Sequence, residues 1–155
     1  MRPSLLLALL VCMGTSPLAT AATYPVDDSG SQVQGSNNLR MKWDDRVPRH
    51  GARSTVSAET LVLVRLNLSQ WQGRQGRVYM TLPAQATGPI TATWSTRGRL
   101  LPGLLRAGER ALVYAGPIQV DTLEDTLRLS IQADGQRLVR SEQLAFSFEI
   151  DVDLP

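Results

Sequence analysis

Cysteine, histidine and lysine are each present once in this 155-residue chain, as Cys12, His50 and Lys42. A chain with one cysteine cannot be stapled by an internal disulfide, so its stability has to come from burial, strand pairing or association. One histidine without a second soft ligand cannot build an ordinary zinc site. It also leaves little for a hydrolase: His50 lies between Arg49 and Gly51 in a polar stretch and reads as a loop histidine, and the carboxylates Glu149, Asp151 and Asp153 form a regular row with nothing to set one apart as acid or base. No catalytic or cofactor motif stands out, and no apolar run approaches the ~20 residues that cross a bilayer. The basic and acidic totals, 16 and 14, nearly cancel, and the arginines are scattered. That pattern describes a solvated surface and gives no footing for nucleic acid. The expectation is a protein that is not an enzyme and carries no cofactor or metal.

What is present begins with a leader. Met1-Arg2-Pro3-Ser4 precedes the apolar run Leu5 to Val11 and small residues ending at Ala21-Ala22, the layout of a secretory signal peptide spanning residues 1–22. Val11 fits poorly before a lipidated cysteine, so cleavage is expected near Ala22, removing Cys12. Roughly 130 residues remain, enough for one core and too few for two domains. Residues 23–38, rich in Asp, Ser, Gly, Asn and Gln, read as a flexible extension. It runs into the alternating stretch Leu39-Arg40-Met41-Lys42-Trp43, with Val33 and Gly35 in the same register. Residues 44–53 read as a polar connection, so 23–43 form an extension and 44–155 a domain.

That domain reads as strands. The segments 61–68, 78–82, 90–94, 111–114 and 126–132 carry apolar residues at every second position or in short runs, with Gly and Pro at the breaks. Residues 98–105 suggest two edge segments around Pro102-Gly103. Asp134-Gly135 suggests a tight hairpin returning through 136–139. The sharpest alternation is the last: Leu144, Phe146, Phe148, Ile150, Val152 and Leu154 point one way, with Glu149, Asp151 and Asp153 outward. About seven to nine short strands without a helical period describe an all-β sandwich. A long terminal strand needs something over its face and its free edge.

Other candidates have plainer readings. Asp121, Glu124 and Asp125 match no calcium-loop spacing and read as a solvated acidic turn. Trp94 shares a face with Ile90 and Ala92 and belongs to the core. Trp71, beside the turn Gln72-Gly73, is the expected exposed aromatic and the candidate ligand contact.

An exported, cysteine-free β-sandwich whose amino-terminal extension turns into a short alternating strand resembles the subunits of chaperone–usher fimbriae. The resemblance covers the organisation of the mature chain and includes no diagnostic motif. It implies an immunoglobulin-like sandwich lacking its last strand, completed first by a periplasmic chaperone and then, at an outer-membrane usher, by the extension of a neighbouring fimbrial subunit. Val33, Gly35, Leu39, Arg40, Met41, Lys42 and Trp43 would then form the donor strand. Leu144, Phe146, Phe148, Ile150, Val152 and Leu154 would line the acceptor groove. If the two strands pair antiparallel, Arg40 faces Asp153 and Lys42 faces Asp151, each pair contributing about 0.2–1 kcal/mol and choosing register more than affinity. The implied location is the periplasm and then the cell surface, in a fimbrium supporting adhesion. The alternative is a tip adhesin or carbohydrate-binding sandwich that meets a host receptor through Trp71. Whether residues 39–43 pair within or between chains is open at this point.

Overall fold

A computed structural model describes residues 21–35, 39–44, 54–86, 88–138 and 143–153. Ten strands follow in chain order: β1 Ala21–Pro25, β2 Gln32–Gln34, β3 Lys42–Trp43, β4 Thr55–Asn67, β5 Gln75–Thr81, β6 Ile90–Thr96, β7 Gly103–Arg106, β8 Arg110–Pro117, β9 Thr122–Asp134 and β10 Ser147–Asp153. They form an all-β sandwich of two antiparallel sheets. One sheet has the order β1-β10-β5-β8; the other runs β2-β4-β9-β6-β7, with β3 also on β4.

The spine of the second sheet is the pair β4 and β9, thirteen residues each, matched from Thr55 opposite Asp134 to Asn67 opposite Thr122. Alternation builds it. Val64 and Leu66 face inward with Leu127 and Leu123, while Leu61 is left 37% exposed on the outer face. The apolar start of the 61–68 segment is therefore the middle of a strand that begins at Thr55, with one of its leucines on a solvated face. In the first sheet Phe148, Ile150 and Val152 are at most 5% exposed, and each contributes roughly 1.5–3 kcal/mol on burial. Trp94 is buried as expected, and its indole N–H donates to the Leu101 carbonyl at 2.9 Å.

Several local expectations need correction. Asp134-Gly135 makes no two-residue hairpin: Gly135 is absent from the positive-φ residues, and the Asp134 carboxylate accepts the Gln136 N–H at 3.0 Å in a local turn. Gln136 to Leu138 form no return strand, and Val139 lies outside the described residues. The chain instead leaves β9 in one sheet to become β10 in the other. Only one of the two segments expected over 98–105 is a strand, β7. The residues before it are tied down by Asp125, which belongs to no solvated turn. It is buried and accepts from the Thr96 hydroxyl at 2.5 Å, the Leu100 N–H at 2.9 Å and the Thr126 N–H at 2.7 Å. Glu124 is exposed and pairs with Arg65 at 3.1 Å.

The extension is more ordered than its composition suggests. β1 lies on β10 in the first sheet, Val26 is buried at the crossover, an isolated bridge joins Asp27 to Asn67, and β2 lies on β4 in the second sheet. Of the connection expected at 44–53, residues 45–53 lie outside the described residues.

Candidate strand-accepting groove

Among the described residues, the side of the sandwich where the amino-terminal segment changes sheets is incompletely closed. A groove of about 1470 Å³ opens there onto Val64, Met80, Ile90, Leu127, Leu129 and Ile131, the inner faces of both sheets. Val33, Leu39 and Met41 line it on one side, and Leu144, Phe146 and Phe148 on the other. Gln143 to Phe146 immediately precede β10 and belong to no strand.

The expected acceptor residues divide accordingly. Phe148, Ile150 and Val152 face the core as the alternation requires, whereas Leu144 and Phe146 are half-buried in the groove wall and Leu154 lies outside the described residues. The expectation that the terminal strand has a free edge is corrected. β10 is flanked on both sides, by β1 from Ala21 opposite Asp153 to Pro25 opposite Glu149, and by β5 from Ser147 opposite Thr81 to Val152 opposite Gly76.

The expected donor residues sit elsewhere. Val33 pairs with Val62, Lys42 with Ser57 and Trp43 with Val56, all on β4. The register changes between these pairings: residues 35–41 separate Gln34 from Lys42, whereas only residues 58–60 separate their partners on β4. Gly35 follows β2 with φ of 100°, a conformation that side chains with a Cβ resist. Leu39 and Arg40 are exposed on the groove wall, Met41 is half-buried against the core, and Trp43 is 51% exposed with its ring against Gly135. None of these residues touches β10 in register, so the expected pairs Arg40–Asp153 and Lys42–Asp151 do not form. Of the side chains expected to point inward, only Met41 is half-buried, while Val33, Leu39 and Trp43 are exposed; alternation also carries no information about which edge a segment lies beside.

The residues on β10 that were missed are those of β1. Ala22, Tyr24 and Val26 share a face at two-residue spacing, opposite Val152, Ile150 and, through the Val26 N–H to the Phe148 carbonyl at 2.9 Å, Phe148. That spacing was present in the sequence but fell across the expected leader boundary. β1 is shallowly held, with no fully buried side chain. Its Tyr24 ring rests 6.2 Å from Trp71, tilted by 42°. Trp71 is itself only 4% exposed, in a 3-10 turn over Ser69–Trp71, so the expected exposed aromatic is a core residue closing one end of the sandwich.

On the outer face of the first sheet, polar groups reach from one edge strand to the other. The Thr23 hydroxyl on β1 donates to Asp151 Oδ1 at 2.5 Å; Arg110 on β8 donates to Oδ1 at 3.3 Å and to Oδ2 at 3.2 Å. The same guanidinium lies 4.2 Å from the centre of the Tyr79 ring and 3.9 Å from Glu149. Burial pushes the Asp151 carboxyl up, but hydrogen bonds from Thr23 and Arg110 and the charges of Arg110 and Arg77 outweigh it and hold its pKa below the ordinary carboxylate value. At the groove, Asp28 is pushed up, chiefly by burial and further by the charge of Asp27.

Among the described residues, no three His, Cys, Asp or Glu side chains converge on a point that could hold a metal, and no helix is long and apolar enough to cross a membrane. No family model matches the chain, and no curated protein matches it.

Proposed function

We propose that this chain is a structural subunit of a surface fibre, of the chaperone–usher fimbrial kind, joined to neighbouring subunits by β-strand addition. Two observations carry this reading: an open apolar groove at the start of the terminal strand, and, along that strand's edge, a five-residue neighbour without a fully buried side chain. At about 1470 Å³ the groove exceeds the ~300–1,000 Å³ of small-molecule sites and suits an extended peptide. In such binding, backbone pairing supplies affinity and alternate side chains fill pockets.

Magnitudes favour an incoming strand over loose apolar contact. Three apolar side chains seated in the groove would contribute about 5–9 kcal/mol. Association costs about 4–15 kcal/mol in lost freedom, so side chains alone roughly break even and the backbone ladder decides. The donor we assign is the amino-terminal segment containing β1, exchanged from one copy to the next in the manner of a domain swap. This replaces 33–43, which is engaged on its own β4. Export, an immunoglobulin-like lineage, a periplasmic chaperone and an outer-membrane usher belong to the same proposal. The ligand-binding alternative loses its nominated residue, because Trp71 is buried.

Size-exclusion chromatography with light scattering tests the proposal. The full chain should form concentration-dependent oligomers, Leu144→Asp in the groove wall should leave folded monomers, and a chain lacking residues 21–35 should remain soluble without self-associating. A full chain that stays monomeric at the highest accessible concentration would contradict it.

A further inference from the structure

The polar groups on the outer face of the first sheet connect to strand exchange through β1. Among the described residues, Thr23 is the only β1 residue whose side chain hydrogen-bonds to the rest of the sheet, and its partner is a carboxylate already gripped from the opposite edge. The Asp151 side chain is 11% exposed and that of Arg110 is 45% exposed, so the pair sits at the boundary of the sheet and solvent. Stacking on Tyr79 fixes the guanidinium, which reaches both carboxylate oxygens while Oδ1 also receives the Thr23 hydroxyl. Hydrogen bonds to an ionised acceptor are stronger than neutral ones. This contact therefore supplements a strand that otherwise relies on an exposed edge ladder and the Tyr24–Trp71 contact.

We infer that Thr23, Asp151 and Arg110 form a latch that holds the chain's own β1 on its terminal strand and sets how readily that edge opens to a second copy. The inference rests on the assembly reading and adds its regulation: the chain caps its own acceptor edge, and Arg110, which makes no direct contact with β1 in this network, steadies the cap through Asp151. Loss of Arg110 should loosen a strand at the far edge of the four-stranded sheet, whereas a merely local role would disturb only β8 and β10.

Hydrogen–deuterium exchange on the full chain, compared with Thr23→Val and Arg110→Gln, tests this. Thr23→Val should speed exchange of the β1 amides about fivefold, the factor that corresponds to loss of about 1 kcal/mol. Arg110→Gln should act in the same direction, and β4 and β9 should be unchanged in both. Unchanged β1 exchange in Thr23→Val, or equal loosening of β4 and β9, would overturn the latch. Sedimentation of the same variants separates the two ideas. Faster β1 exchange without increased association keeps the latch and sinks strand exchange; increased association without faster β1 exchange does the reverse.

Discussion

Replacing Trp71 with alanine distinguishes a structural end-cap from a ligand platform. The side chain is 4% exposed, packs with the core that includes Leu68 and Ile118, and carries the Tyr24 ring of β1 at 6.2 Å. Removing a buried tryptophan forfeits its transfer free energy and leaves a cavity, together about 3–5 kcal/mol. For a domain of this size each kcal/mol moves Tm by about 3–5 °C, so Trp71→Ala should melt roughly 10–20 °C lower. Urea unfolding should show the same loss, with an unchanged slope if the unfolded state is unaffected. Trp71→Phe should recover more than half of it. Because Tyr24 loses its support, β1 should also become more susceptible to proteolysis under native conditions. A loss below about 1 kcal/mol, the range of ordinary surface substitutions and little more, would refute the burial and restore the exposed-aromatic reading.

Asp125→Ala should cost about 2–4 kcal/mol in urea unfolding, because it strips a buried carboxylate from the Leu100 N–H and from two further donors; a cost below about 1 kcal/mol would contradict that role. Gly76→Ala should destabilise by about 1–3 kcal/mol, since a Cβ there would lie 2.8 Å from Ile118 and 3.0 Å from Ile150, and a neutral effect would mean that those side chains move aside freely. Asp151 has a folded pKa below its unfolded value, so its stabilisation is present above about pH 4 and lost as pH falls through the folded value. Protection of the β1 amides, taken relative to their intrinsic exchange rate at each pH, should therefore fall below about pH 4 in the wild type and respond less in Asp151→Asn. Thr23, Arg110, Arg77 and Glu149 surround the group and keep their places in that comparison.

The sandwich was legible because its strands alternate: β6, β9 and β10 present one apolar face each, and that face is buried. Alternation says which way a strand faces and nothing about its neighbour. The 33–43 segment could therefore be read onto β10 when its Val33 and Trp43 lie on β4. β1 was hidden for another reason, since Ala22, Tyr24 and Val26 straddle an expected cleavage point and the residues after them are those of a tail. Asp134-Gly135 carried a genuine turn signal, but a local side-chain bond and the passage from one sheet to the other decided its geometry. Asp125 was recoverable: it sits in phase with Leu123 and Leu127, where a polar residue on an inward face has to find donors. Trp71 was not, because proximity to a turn does not reveal whether a ring points out or closes the end of a core.

Exchange of β1 between copies is tested most directly by a cross-link across the β1–β10 register, where Pro25 faces Glu149. In a Cys12→Ser background, chains carrying Pro25→Cys are mixed with chains carrying Glu149→Cys and oxidised. Strand addition predicts a disulfide-linked pair made of one chain of each kind. A mixture that yields no linked pair, under conditions where the doubly substituted chain closes its own internal bond, would show that β1 never leaves its own sheet and would contradict the account.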